Sequence, residues 1–327
     1  MTRSPTRRDV ARLALVAVAG AAGTARAQED YPSRTITLVV PYGAGSSTDI
    51  LARVMAKRLS SELGGRVVVE NRAGAGGTIG SLGVARSAPD GHTLVMGTIS
   101  SHSINASMMA KIPYRVLEDF APISLVAYFP NVLAVNRDLP ANTIGELVAL
   151  AKERGGLNFA TGGVGSSGQL AGELLKLRTG ALLNHVPYRE IGQAITDTIA
   201  GRVPIVIYQV PSLSSLIESG QMKAIAVLAP DRTPLLPTTP TPREQGIQDF
   251  DATAWMGLFG PARLPPRIVD RLQTIIATAA TDPDLTGPLS KQGFTLVGSD
   301  PAAFRRFLEA DIAKWADVVK LTGATIE

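Results

Sequence analysis

Cysteine is absent from all 327 residues. That one absence excludes disulfides, thiolate metal sites, iron–sulfur clusters and a cysteine nucleophile. Aromatic residues make up only 5%, and the histidines number three, His92, His102 and His185. Each histidine lies in a different segment, and neither HExxH nor a calcium-loop pattern occurs, so no metal is expected. His92 follows the turn Pro89-Asp90-Gly91, where a solvated imidazole is expected. No serine stands in a GxSxG elbow, since Ser46, Ser47, Ser166 and Ser167 each miss a flanking glycine. The phosphate-loop lysine motif is missing too. No apolar run approaches the ~20 residues that span a bilayer. Charged residues are sparse at 18%, yet 45% of the chain is hydrophobic, which excludes wholesale disorder.

The net charge of +4 points to nucleic acid or a membrane surface only until its location is considered. Five of the 32 bases (Arg3, Arg7, Arg8, Arg12 and Arg26) and one of the 28 acids, Asp9, fall in residues 1–27. The remaining 300 residues carry 27 of each and balance to zero, so no phosphate-backbone partner is expected. Residues 1–27 read instead as a cleavable export signal: a basic start, an apolar run from Leu13 to Ala22, and Ala25-Arg26-Ala27 as a small-x-small cleavage site. The pair Arg7-Arg8 after Thr6 leaves the route open between the twin-arginine and general secretory pathways. The mature start is expected at Gln28, and the chain is expected to be exported.

What remains is rich in glycine and proline, 32 and 22 residues, and alternates strands with helices. The run TITLVVPY from Thr35 is β-branched and short; a glycine loop and a helix bearing Leu51, Met55 and Leu59 at four-residue spacing follow. Strands are expected at Arg66–Glu70 and Thr93–Gly97, with a glycine loop at Gly74–Gly77 and another helix between them. The pattern restarts at a capping box, Thr143 with Glu146, and runs through strand Leu157–Thr161, helix Gly168–Arg178, strand Leu183–Tyr188, helix Gly192–Ala200 and strand Val203–Gln209. Such repetition predicts parallel sheets covered by helices, arranged as two lobes. The proline-rich stretch Pro230–Pro242 reads as a surface crossing back to the first lobe. A final helix opens at Ser299-Asp300-Pro301 and turns Phe304, Leu308, Ile312, Trp315 and Val319 inward.

Gly163, Gly165 and Gly168 spell GxGxxG between a strand and a helix, with Glu190 at the distance of a ribose contact, which keeps an exported nicotinamide oxidoreductase as one alternative. The broader signal is a set of Gly/Ser/Thr loops, each sending a helix N-terminus to the carboxyl edge of a sheet: Tyr42–Asp49, Ala73–Thr78, Thr98–Ser101 and Thr161–Ser167. Free backbone N–H groups, hydroxyls and helix dipoles converging there favour an anion without a charged side chain.

The segments PYGAGSSTDILAR, VVVENRAGAGGTIG, LNFATGGVGSSGQLAGELLK, HVPYREIGQAITDTIAGRV and KAIAVLAPDRTPLLPTTPTPREQGI, with a C-terminal GFTLVGSDPAAFRRFLEADIAKW, resemble the Bug-type receptors of tripartite tricarboxylate transporters. The resemblance covers nearly all of residues 31–327. It implies an α/β, two-lobed periplasmic-binding-protein fold of type II, the Venus-flytrap architecture, with a ligand cleft between lobes. Lobe 1 would take residues 28–128 and, on the return, 251–327; lobe 2 would take 129–250. It further implies a monomer that is not an enzyme, needs no cofactor, and captures a small organic acid or amino-acid-like ligand for integral-membrane transporter subunits. A receptor reporting to a membrane sensor kinase is a second alternative with the same two lobes.

Carried over by position, the resemblance places Tyr42, Gly43, Ala44, Gly45, Ser46, Ser47 and Asp49 at the ligand in lobe 1, with Thr78 and Ser100 from the next loops. Thr161, Gly165, Ser166 and Ser167 are their counterparts in lobe 2, joined by Tyr188, Arg189, Glu190 and Tyr208. The third segment departs from the family's usual Pro-Tyr-Lys-Gly-Gly, reading Pro187-Tyr188-Arg189-Glu190-Ile191-Gly192. An acidic residue usual near the start of the next strand is replaced by Pro204. Two readings of this departure stand: Glu190 turns outward and pairs with a surface base, or Arg189 takes a ligand carboxylate and Glu190 favours a ligand with an amino or other donor group.

Overall fold

The structure, a computed structural model, describes residues 31–325. The expected signal at 1–27 lies outside the described residues. Two sheets organise the chain. The first has the strand order β11-β4-β10-β3-β1-β2, from β1 (Ile36–Val40), β2 (Val67–Asn71), β3 (Thr93–Thr98), β4 (Phe120–Phe129), β10 (Ala254–Pro261) and β11 (Thr295–Leu296). The second has the order β7-β6-β8-β5-β9, from β5 (Asn131–Asn136), β6 (Leu157–Thr161), β7 (Leu183–Pro187), β8 (Ile205–Gln209) and β9 (Met222–Val227). Among the described residues no helix is long and apolar enough to cross a membrane.

The sheets are mixed, which corrects the all-parallel expectation. Strands β2, β1 and β3 run parallel, as do β7, β6 and β8; β10 lies antiparallel between β3 and β4, and β5 lies antiparallel between β8 and β9. The added strands are those that border the crossings between sheets. Strand β4 leads through Pro130 directly into β5, and β10 enters the first sheet on the way back. The second sheet is buried on both faces. Leu133, Val135, Phe159, Ile205 and Ile207 join the large core shared with the first sheet, while their alternates Val132, Ala134, Ala160 and Val206 join a smaller core with Val210 and Leu213.

The helices that matter for the site begin at carboxyl ends of strands. Helix α1 (Ser47–Leu63) follows β1, α2 (Thr78–Ala85) follows β2, and in the second lobe α3 (Ile144–Glu153), α4 (Ser167–Thr179) and α5 (Ile191–Ile199) alternate with β6 and β7. The capping box at α3 forms with one variation: Thr143 Oγ1 accepts from the Glu146 N–H at 3.1 Å, but Glu146 Oε2 accepts from the Asn142 N–H. The proline-rich stretch is more than a crossing. Leu236 sits in the smaller core, and the Pro240 carbonyl accepts from the Val227 N–H at 3.0 Å, covering the exposed edge of β9. After α6 (Val210–Glu218), α7 (Pro266–Thr281) and α8 (Pro283–Ser290), the last helix α9 (Pro301–Thr322) starts under an Asp300 cap as expected. Its buried face includes Asp311, which accepts from the indoles of Trp255 at 2.8 Å and Trp315 at 3.1 Å.

His92 is buried, not solvated. Strand β3 starts at the next residue, and the segment before β1 covers the ring: Tyr31 packs edge-on at 5.4 Å and the Ser33 N–H donates to Nε2 at 3.2 Å.

Candidate functional site

Two loops on opposite lobes share one sequence pattern and one hydrogen-bond pattern. They read Gly43-Ala44-Gly45-Ser46-Ser47-Thr48-Asp49 after β1 and Gly163-Val164-Gly165-Ser166-Ser167-Gly168-Gln169 after β6. Gly45 and Gly165 both take left-handed backbone, at φ 79° and 75°, a region that glycine enters at little cost. Each loop closes on a serine N-cap. The Ser46 N–H donates to the Gly43 carbonyl at 3.3 Å, and the Ser166 N–H to the Gly163 carbonyl at 3.4 Å. Ser46 Oγ then accepts from the Asp49 N–H at 3.2 Å, and Ser166 Oγ from the Gln169 N–H at 3.3 Å. The third helical side chain reaches back in both: Asp49 Oδ2 accepts from the Gly45 N–H at 3.0 Å, and Gln169 Oε1 from the Gly165 N–H at 2.7 Å.

This reciprocal capping leaves a defined remainder. The N–H groups of Ser47 and Thr48 in α1, and of Ser167 and Gly168 in α4, have no acceptor within their own helices. Both helix ends meet a narrow chamber of about 150 Å³, lined by Ser46, Ser47 and Thr48 from one side and Gly165, Ser166 and Ser167 from the other. Among the described residues, none that lines this chamber is charged. Its polarity comes from backbone N–H groups, hydroxyls, an amide and the positive ends of two helix dipoles, a combination suited to an anion.

The hydroxyls are largely committed. Ser166 Oγ donates to the Gly163 carbonyl at 2.7 Å, and Ser167 Oγ to Asn131 Oδ1 at 3.3 Å. Tyr42 and Thr98 hydroxyls pair at 2.8 Å. Burial raises the Tyr42 pKa above the usual phenol range, so it stays protonated; Tyr208 is raised likewise, by burial and then by the proximity of Tyr42 from the other lobe. Ser47 Oγ donates across the cleft to Gln209 Oε1, at the end of β8. That bond ties the lobes together and leaves the Gln209 amide N–H groups available. Ser46 Oγ accepts as a cap and keeps its own hydrogen.

An outer chamber of about 730 Å³ continues from the inner one and shares Tyr42, Ser46, Ser47, Gly162 and Tyr208 with it. It adds Gly43, Ala44 and Gly45 of the first loop, and the charged side chains of Arg189, Glu190 and Lys291. Of the residues anticipated from sequence, Ser100 lines the inner chamber along with the serines, Gly165 and Tyr208.

Four anticipated contacts stand behind the walls instead. Asp49 is buried and occupied: burial works to raise its pKa, but the Arg53 guanidinium, the Gly45 N–H and the Asn71 amide outweigh that and hold it below the usual carboxylate range. Thr78 Oγ1 donates to the Ala75 carbonyl at 2.7 Å, capping its own turn. Thr161 is fully buried and shares a 2.7 Å bond with His185 Nε2 beneath the second loop. Burial, with Lys176 adding to it, pulls the His185 pKa down to about 4, so this support is neutral at pH 7. Tyr188 donates to Asp197 Oδ2 at 2.9 Å along α5.

Residues outside the expected contacts complete the chamber. Gln209 carries no motif; its place at the carboxyl end of β8, beside β6, was its only signal. Thr98 and Gly76 belong to two of the Gly/Ser/Thr loops expected at the sheet edge, though neither was expected as a ligand contact. Gly76, at φ 62°, is held by Asn105, whose amide donates to its carbonyl at 2.9 Å. Asn131 stands at the crossing between lobes: its amide donates to the Ala252 carbonyl at 3.0 Å on the return segment, and its Oδ1 accepts from Ser167.

Two α/β lobes with a cleft at the facing carboxyl edges define a binding protein of the periplasmic type. A model of the tripartite tricarboxylate transporter family receptor matches residues 51–324. Protein BugT of Bordetella pertussis is 39% identical over 314 residues, covering 95% of this chain and 96% of that protein. Among solved structures, the periplasmic binding protein BugD superposes with a TM-score of 0.80 at 32% identity, over 91% of this chain and 100% of that one. An R. palustris protein with adipate gives 0.83 at 34% identity, over 90% and 100%; MatC from Rhodopseudomonas palustris with bound malate gives 0.79 at 31%, over 88% and 100%. The chain therefore belongs to the receptor family of tripartite tricarboxylate transporters. In that setting the GxGxxG glycines have structural uses: Gly163 and Gly165 turn the loop at positive φ, and Gly168 lets α4 lie against the Ile207 backbone.

Proposed function

We propose that this protein is a periplasmic receptor that closes its two lobes on the carboxylate of a small metabolite and presents it to the membrane subunits of a tripartite tricarboxylate transporter. The observation that carries the reading is the pair of serine-capped helix starts that border one neutral chamber, with Ser47 and Thr48 lining it from one side and Ser167 from the other. A helix start contributes about 0.3–1 kcal/mol to a nearby anion when exposed and up to ~2 kcal/mol when partly buried, so two of them with hydrogen bonds reach useful affinity. Adipate with one structural relative and malate bound to another support the same ligand class. The lobes divide at 28–128 with 251–327, and 129–250, in keeping with the strands of each sheet. The protein acts as a monomer without catalysis or cofactor, after export has removed residues 1–27.

Thermal-shift and calorimetric titration of the mature chain with small carboxylates and their matching primary amides tests this. The carboxylates should bind and the amides should not, because an amide presents one acceptor where a carboxylate presents two and a charge. Equal affinity for acid and amide would refute an anion site in this chamber.

A further inference from the structure

A buried histidine with no place in the cleft lining is joined to it through hydroxyls. Tyr42 and Thr98 line the inner chamber, and their hydroxyls lie 2.8 Å apart. Thr98 Oγ1 lies 3.3 Å from Ser101 Oγ, and Ser101 Oγ lies 2.9 Å from His102 Nδ1. Ser101 and His102 are fully buried in the turn after β3. The imidazole stacks on Phe259 at 4.2 Å and meets Phe120 edge-on at 4.6 Å, and its Nε2 is buried with no hydrogen-bond partner. Burial lowers its pKa to about 3, so at pH 7 the ring is neutral and carries one hydrogen.

The place of that hydrogen fixes the direction of the whole chain of bonds. On Nε2 it would be a buried N–H without an acceptor, and orphaned buried donors are rarer than unfilled acceptors. On Nδ1 it is donated to Ser101 Oγ, which already accepts from the Thr98 N–H at 3.1 Å. Both lone pairs of that oxygen are then filled. The Thr98 hydroxyl therefore donates to Tyr42 Oη, the other hydroxyl within reach. Tyr42 keeps its own hydrogen for the chamber, since the Gly76 carbonyl is a distant acceptor at 3.4 Å. The opposite tautomer takes the Ser101 hydrogen at Nδ1 and draws those of Thr98 and Tyr42 inward. An arriving carboxylate would then meet only phenol lone pairs.

We propose that His102 is a positioning residue for the bound anion: as its Nδ1–H tautomer it directs the Tyr42 hydroxyl hydrogen into the inner chamber, as a donor to the carboxylate between the two helix starts. The proposal rests on the reading of the inner chamber as a carboxylate site.

Histidine 15N NMR on the mature chain reads the tautomer, with His102→Asn identifying its signals. Nδ1 should resonate as a protonated ring nitrogen and Nε2 as a bare one; the reverse overturns the proposal, whatever binds in the cleft. Calorimetry with acetate, malate and adipate then follows affinity, the tightest of the three serving as the probe. Tyr42→Phe should weaken it about tenfold, as expected for a hydrogen bond to a charged group. His102→Leu opens a lone pair on Ser101 and lets the hydrogens turn inward, so it should lose about fivefold. His102→Asn keeps an N–H near the place of Nδ1 and should return to within about twofold of the parent. On a Tyr42→Phe background, His102→Leu should add less than about twofold. Unchanged affinity in Tyr42→Phe, or a His102→Leu loss that persists in full without the Tyr42 hydroxyl, overturns the proposal. Should His102→Leu fail to fold, the tautomer and Tyr42→Phe still decide. If the acids bind better than their primary amides while Tyr42→Phe is neutral, the relay alone fails. If none of the acids binds, the carboxylate reading fails and this inference fails with it.

Discussion

At the scale of single residues, the destination of each hydroxyl hydrogen decides what the side chain can do for a ligand. Ser47 was marked in the sequence as a hydroxyl for the ligand, yet its hydrogen is committed to Gln209 across the cleft. Ser47→Ala should therefore weaken ligand binding through lobe closure by about 1 kcal/mol, the net worth of an ordinary hydrogen bond. Gln209→Ala should lose a similar amount, and the double variant little more than either. Affinities from the four proteins, combined as a double-mutant cycle, check this; fully additive losses would mean the two side chains act independently. Glycine positions separate in the same way. A Cβ on Gly168 would lie 2.3 Å from the Ile207 carbonyl oxygen, backbone against backbone, so Gly168→Ala should lift α4 off β8 and cost about 1–3 kcal/mol. Gly45 has open space around it, and Gly45→Ala should cost about 1–2 kcal/mol through its left-handed φ alone. Urea denaturation of both variants measures the two costs. The glycines of both loops were legible in sequence; which of them is required for conformation and which for contact was not, because that depends on the strand lying behind.

At the scale of elements, the strands and helices anticipated from periodicity appear within a residue or two of their expected ends. Strand direction did not follow. The run AWMGLFGP of β10 is apolar throughout, and such a run fits a buried strand of either direction, so its antiparallel insertion beside β3 left no trace in the pattern. The pairing of the two serine loops was legible, since GAGSSTD and GVGSSGQ align without a gap, but only if read together as caps and not separately as turns. Helix α9 supplies the opposite case. Its apolar stripe was plain, while Asp311 sits in the middle of that stripe as a buried acceptor for two indoles and for Lys314 at 2.9 Å. Asp311→Ala would leave two indole N–H groups and an ammonium without their acceptor. It should destabilise the protein by about 3–5 kcal/mol, measured by chemical denaturation. A loss below about 1 kcal/mol would mean that water replaces the carboxylate there.

At the scale of the whole molecule, two crossings between sheets and one hydrogen bond across the cleft set how the lobes move together. Asn131 links the crossings to the second loop, so closure and the orientation of Ser167 share a residue. The fold also sets an acid limit. An imidazole in the unfolded chain takes its proton near 6.5, whereas burial lowers His102 to about 3. Between those values the unfolded chain holds the extra proton, so stability is full above pH 6.5 and declines as the pH falls. The slope is about 1.4 kcal/mol per pH unit for His102, and for His185 the loss runs over a narrower pH window, since its folded value is about 4. Proton NMR should find the His102 ring unresponsive from pH 8 to 5; a titration near 6.5 would contradict its burial between Phe120 and Phe259. The central claim is the carboxylate between the two helix starts, and a crystal structure with a bound carboxylate tests it most directly. The account predicts carboxylate oxygens within about 3 Å of the N–H groups of Ser47 or Thr48 and of Ser167 or Gly168 at once. A carboxylate held in the outer chamber by Arg189 or Lys291, with the inner chamber filled by water or by an uncharged part of the ligand, would contradict it.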